Sequence, residues 1–224
     1  MEAERPPNFA RRLLILVLAV GIVCALAATF AVGFLLHRPD AAHSVASTSG
    51  PGVRIHLEVV GSVGTASNGR ADDPHPTWPG YLPTTTLDVP ANSLVTMQID
   101  QEDFARGLRN PFWSQAQGII GGTFHMSYYD NNGQPQQGDF HALDSADNAA
   151  HTFAIPQLGV FVPLEAVNAA APAGSMNVIT FSFRTGKPGV YNWQCFVPCG
   201  QGTVAGNGGP MQTLGYMVGL IVVQ

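Results

Sequence analysis

Charge is in short supply in this chain: 11% of its 224 residues are Asp, Glu, Lys or Arg, against 46% that are hydrophobic. That balance suits one globular domain joined to a membranous piece. From Pro39 onward there are 13 acidic and 6 basic residues, once Glu2, Glu4, Arg5, Arg11, Arg12 and Arg38 are set aside. An acidic domain disfavours nucleic acid and favours a basic partner. The chain also lacks a Gly-x-Ser-x-Gly elbow, a His-Glu-x-x-His pair and a phosphate-binding glycine loop. The common hydrolase, zinc-peptidase and nucleotide chemistries therefore have no motif here. No internal repeat and no soluble amphipathic helix can be read from it, which argues against solenoids and helical bundles. Cysteine is rare, with three in all, and no histidine follows His151.

One long hydrophobic run is present. Residues 13–36 carry no charge, which is long enough to cross a bilayer as a tilted helix. Arg5, Arg11 and Arg12 precede it and only Arg38 closely follows. That asymmetry predicts a single-pass protein of the cell membrane, with residues 1–12 cytoplasmic and the main domain extracytoplasmic. A cleaved signal peptide ending near Ala25-Leu26-Ala27 is the competing reading, but the apolar run continues past it. Cys24, inside the run, reads as a small packing residue.

Residues 37–52 are rich in Ala, Ser, Thr, Gly and Pro and read as a linker. The domain, 53–224, then alternates short strands with turns. Val53, Ile55, Leu57 and Val59 share one face of a first strand, and residues 61–83 read as loop. A strand, turn and strand follow through Leu87 and Ile99. Residues 101–148 are poorly periodic and form a long insert, either an ordered excursion or a mobile one. Strands resume at His151, at Ile179–Phe183, at Val190–Cys195 and at Tyr216–Val223. This pattern predicts an all-β sandwich.

Chemistry concentrates at a few strand ends. His151 begins one strand, Cys195 and Cys199 end another, and Met211 and Met217 come soon after. Thiolate, imidazole and thioether together suit copper in both common oxidation states. The same cysteine spacing could instead close a small disulfide, since a curled four-residue step can bring two Cα atoms within bonding range. From the residues alone both readings stand.

The stretch His151-Thr152-Phe153-Ala154-Ile155-Pro156, the turn Thr185-Gly186-Lys187-Pro188-Gly189 and the loop Cys195-Phe196-Val197-Pro198-Cys199-Gly200 resemble the CuA domain of subunit II of haem–copper oxidases. That family is a membrane-anchored cupredoxin, a Greek-key β-sandwich. The resemblance implies His151, Cys195 and Cys199 as copper ligands, with the backbone carbonyl of Val197 as a further donor. It also implies one-electron transfer in a respiratory membrane, beside an oxidase core subunit and a cytochrome or other donor. The pattern then breaks. Thr203 stands where the family has a second histidine, and Gly206 where it has a methionine. Three replacements are open: Met211 swung back by the glycine-rich loop, His125 or His141 from the insert, or a mononuclear Cu(I)-holding site of His151, Cys195, Cys199 and a methionine without a redox role. The alternative, a Cys195–Cys199 disulfide in a copper-free fold, would leave a structural or assembly subunit.

Overall fold

The computed structural model describes residues 15, 17, 18, 20, 21, 52–66, 69–200, 202 and 208–224. The chain divides into two units, Met1–Asp40 and Ala41–Gln224. In the first, Ile15, Val17, Leu18, Val20 and Gly21 are helical. Most of the expected span 13–36 and of the linker lies outside the described residues. No helix among the described residues is long and apolar enough to cross a membrane.

Among the described residues, the second unit has eleven strands in two sheets. They are β1 (Val53–Val60), β2 (Gly80–Leu82), β3 (Thr86–Val89), β4 (Leu94–Gln101), β5 (Phe124–Tyr129) and β6 (Pro135–Phe140). The rest are β7 (Ala149–Ile155), β8 (Val160–Glu165), β9 (Asn177–Arg184), β10 (Gly189–Gln194) and β11 (Val218–Val223). One sheet runs β2-β1-β4-β9-β5-β6 and the other β3-β11-β10-β7-β8. The all-β reading holds, and strands adjacent in a sheet are mostly not adjacent in sequence.

Alternation explains the clean strands. In β4 and β9 every second residue is buried, which puts Val95, Met97, Ile99, Ile179, Phe181 and Phe183 into one core. Strands read on this two-residue period bury one face and wet the other. Trp193 is fully buried and lies edge-on to Tyr81 at 4.8 Å between ring centroids. Its Nε1–H donates to Thr85 O at 3.0 Å. Gly219 makes that bond possible, because a Cβ there would lie 1.9 Å from Thr85 O and 2.6 Å from Trp193 Nε1.

One expectation changes, and two stretches left open gain a structure. The stretch 61–83 is not all loop, since Gly80–Leu82 pairs antiparallel with β1 and is buried. Strand β8 has no counterpart in the sequence reading. Pro163 hides it there, yet an edge strand tolerates a missing N–H, and β8 is the outermost strand of its sheet. The insert is ordered: β5 and β6 form a hairpin, and β5 docks on β9 to widen the first sheet. Its periodicity is weak because β6 is an edge strand with exposed and half-exposed residues throughout.

Candidate metal centre

β7 and β10 are antiparallel neighbours with Gln194 opposite Ala154. The chain leaving β10 therefore runs back toward the start of β7. Thr152 N–H donates to Cys195 Sγ at 3.4 Å, and Phe196 N–H donates to Thr152 Oγ1 at 2.7 Å. Cys195 N–H is held by Met217 O at 2.8 Å, so the residue just before β11 also fixes the loop. An irregularity in the β7–β8 register lies between Ala149 and His151, and such bulges re-aim the side chain beside them.

The loop and the strand together make a buried cluster. The ligand atoms of His151, Cys195 and Cys199 all lie within 4.8 Å of one another, and none of the three residues is exposed to solvent. His151 Nδ1 is 3.2 Å from Cys199 Sγ and 3.9 Å from Cys195 Sγ. The two sulfurs are 3.9 Å apart, well beyond the length of a disulfide bond. Val197 O faces the same centre, 3.1 Å from Cys199 Sγ and 3.7 Å from Cys195 Sγ. A tetrahedral ion with bonds of about 2.0–2.3 Å to N, O and S holds its donors roughly 3.5–3.8 Å apart. The observed separations bracket that range, so the four donors fit a thiophilic ion with shifts of a few tenths of an ångström.

His151 is gripped from its other side. Its Nε2–H donates to Asp103 Oδ2 at 3.1 Å. Asp103 Oδ2 also accepts from Arg106 Nη2 at 2.9 Å and Nε at 3.2 Å, and Oδ1 accepts from Phe104 N–H at 2.8 Å. Burial alone would raise the Asp103 carboxyl, but His151, the Phe104 amide and Arg106 hold it well below the usual carboxylate range. Burial would lower the His151 pKa; the bond to Asp103 and the negative sulfur of Cys195 outweigh it and push it up.

The two thiols are pushed in opposite directions. Burial opposes ionising Cys195, yet the hydrogen bonds from Cys199 and His151 and the Thr152 amide bring its pKa well down. Cys199 is pushed far up by its bond to that neighbour and by burial. Tyr81 stays a neutral phenol: burial and the adjacent sulfurs raise it, and its O–H donates to Thr152 O at 2.9 Å.

Other residues singled out in the sequence fall elsewhere. His125 Nδ1 pairs with Asp139 Oδ1 across the β5–β6 hairpin at 2.9 Å and is outside the cluster. His141 is exposed and also outside it. Met211 and Met217 belong to the same buried apolar cluster as the two cysteines. Thr203 and Gly206 lie outside the described residues. Asp103 and Arg106 carried no signal in the sequence, since the insert separates them from His151 by more than forty positions. The insert also covers the loop: Trp113 stacks on Phe161 at 4.3 Å and on Phe196 at 5.7 Å.

No protein-family model matches the chain, and neither does any curated protein. Several solved structures are similar to it. Rusticyanin from Thiobacillus ferrooxidans is 13% identical, with a TM-score of 0.31, over 80% of this chain and 86% of that one. Auracyanin B is 14% identical with a TM-score of 0.31, over 81% and 95%. A heme-copper terminal oxidase dimer is 13% identical with a TM-score of 0.29, over 92% and 97%. Likenesses this distant carry no argument about the site, which stands on its own donors.

Proposed function

We propose that this chain is a cupredoxin-type copper protein that passes single electrons. In this reading His151 Nδ1, Cys195 Sγ and Cys199 Sγ bind the metal, and Val197 O or Met211 completes the set. The observation that carries the reading is the convergence of one imidazole and two cysteine sulfurs on one buried centre. Soft sulfur donors mixed with nitrogen accommodate both Cu(I) and Cu(II), and copper held there would supply one-electron redox chemistry. The protein's own contribution is to keep the donors fixed and dry. Trp113, Phe161 and Phe196 wall the loop, and the strand ends set the donors' spacing.

The apolar run 13–36 supports a membrane anchor with the domain outside. The resemblance of the β7, turn and cysteine-loop sequences to oxidase subunit II supports work beside a respiratory oxidase, fed by a cytochrome or another donor. A second reading, a Cu(I) carrier, draws on one observation: no histidine follows His151, so the cysteine loop adds no imidazole to it. If the thiols instead pair as a disulfide, the fold would serve as a structural subunit.

The test uses the full chain in detergent. Copper is added under reducing and then oxidising conditions, with visible absorption, bound metal and free thiols recorded. Electron transfer requires intense thiolate-to-copper bands that disappear in C195S, C199S and H151A. Colourless binding of one copper identifies the carrier. No bound copper with both thiols oxidised removes the copper function altogether.

A further inference from the structure

Asp103 is a carboxylate with 6% of its surface exposed, and its position is overdetermined. Its backbone N–H donates to Gln101 Oε1, and its carbonyl accepts from Gln101 Nε2 at 2.9 Å and from Val167 N–H at 3.1 Å. The carboxylate itself takes the Phe104 amide, two Arg106 N–H groups and His151 Nε2–H. Gly61 closes the remaining side: a Cβ there would lie 3.1 Å from Asp103 Oδ1. Burying an ionised carboxylate is costly unless it is paired, and Arg106 supplies the pairing charge while keeping 37% of its side chain in solvent. Nothing in the strand pairing requires this group to face a histidine.

The chemistry of imidazole gives the contact its use. A neutral ring has one N–H and one lone pair, and the partner of one nitrogen decides which role the other plays. A carboxylate only accepts. Once the ring is neutral, the carboxylate therefore keeps the proton on Nε2 and leaves the lone pair on Nδ1, the nitrogen that faces the two sulfurs.

We infer that Asp103, braced by Arg106, is the positioning residue of the metal centre, holding His151 in the tautomer and ring orientation that offers Nδ1 to the ion. This rests on the copper-site reading above. The insert 101–148 is thereby more than a cover: its first residues supply the outer contact of a ligand that the sequence places 48 positions later.

The test measures Cu(I) affinity of the reduced full chain in detergent against a competing chelator, for the native protein, D103N, D103E, R106Q and H151A. Loss of an outer-shell partner costs about 10–100-fold in metal affinity. D103N is expected to fall by that factor, R106Q by less, and D103E to recover part of the loss. A merely structural role would instead lower the metal-free thermal midpoint of D103N and leave the His151 ring unchanged. Ring 15N shifts of the reduced, metal-free and Cu(I)-loaded chain supply the second readout. At a pH where the ring is neutral, Nε2 should carry the proton in the native protein, and D103N should lose that preference. Cu(I) affinity in D103N within twofold of native, with unaltered ring shifts while H151A loses binding, overturns the inference and leaves the copper function intact. If the native chain binds no Cu(I), the copper function fails. The metal-free ring shifts then decide the positioning role, and a native Nδ1–H tautomer overturns it.

Discussion

Loading the centre with metal should release protons in a number that changes with pH. In the metal-free site the Cys195 pKa is brought well down, because Cys199, His151 and the Thr152 amide overcome the penalty of burial. Cys199 keeps its proton, raised by its bond to Cys195 and by burial. The raised pKa of His151 keeps its ring doubly protonated to a higher pH than an ordinary histidine. An ion that takes Nδ1 and both sulfurs must displace the Nδ1 proton and the Cys199 proton. Between the lowered Cys195 pKa and the raised His151 pKa, two protons leave per ion. Apparent affinity should then rise about 100-fold, roughly 2.7 kcal/mol, for each pH unit upward. Above the His151 pKa only the Cys199 proton remains to be lost, and the slope should halve to about tenfold per unit. Affinity weakens as pH falls, because protons compete with the ion. Competition titrations with Zn(II) at several pH values give the slope. Calorimetry in buffers of different ionisation enthalpy counts the protons directly. A pH-independent affinity, or no proton released, would refute the assignment of both thiols and Nδ1 as ligands.

Two further outcomes follow from the same geometry. His125 is paired with Asp139 on the hairpin and His141 is exposed, both outside the cluster. The double variant H125A/H141A should therefore bind copper with native affinity and spectrum, and a lost band would place one of them in the site. Gly219→Ala would set a Cβ 1.9 Å from Thr85 O and 2.6 Å from Trp193 Nε1. Overpacking of this kind costs about 1–3 kcal/mol or more, so thermal melting should shift down measurably, and an unchanged midpoint would mean the β3–β11 contact is slack.

Much of the fold can be read along the chain where one face of a strand is buried and the other is wet. Val53–Val60, Leu94–Gln101 and Asn177–Arg184 have that pattern and form strands. Strand β7 is legible for another reason, its short apolar run after the insert, since both of its faces are buried. Strands β5, β6 and β8 escape notice because they flank or form sheet edges, where polar residues and proline are tolerated. Local pattern reports burial, and burial at an edge is one-sided and partial.

The sequence by itself determined the all-β character, the position of His151, the four-residue spacing of Cys195 and Cys199, and the want of a later histidine. Those are properties of residue type and order. Tertiary structure decided that the histidine and both sulfurs meet within 4.8 Å, with Val197 O turned to the same point. It also decided that Asp103 and Arg106 stand behind the ring. The physical reason is the antiparallel pairing of β7 and β10 across non-consecutive strands, with the segment that follows β4 bonded to the start of β7. Contacts of that range depend on how the sheets close, and no local pattern encodes them.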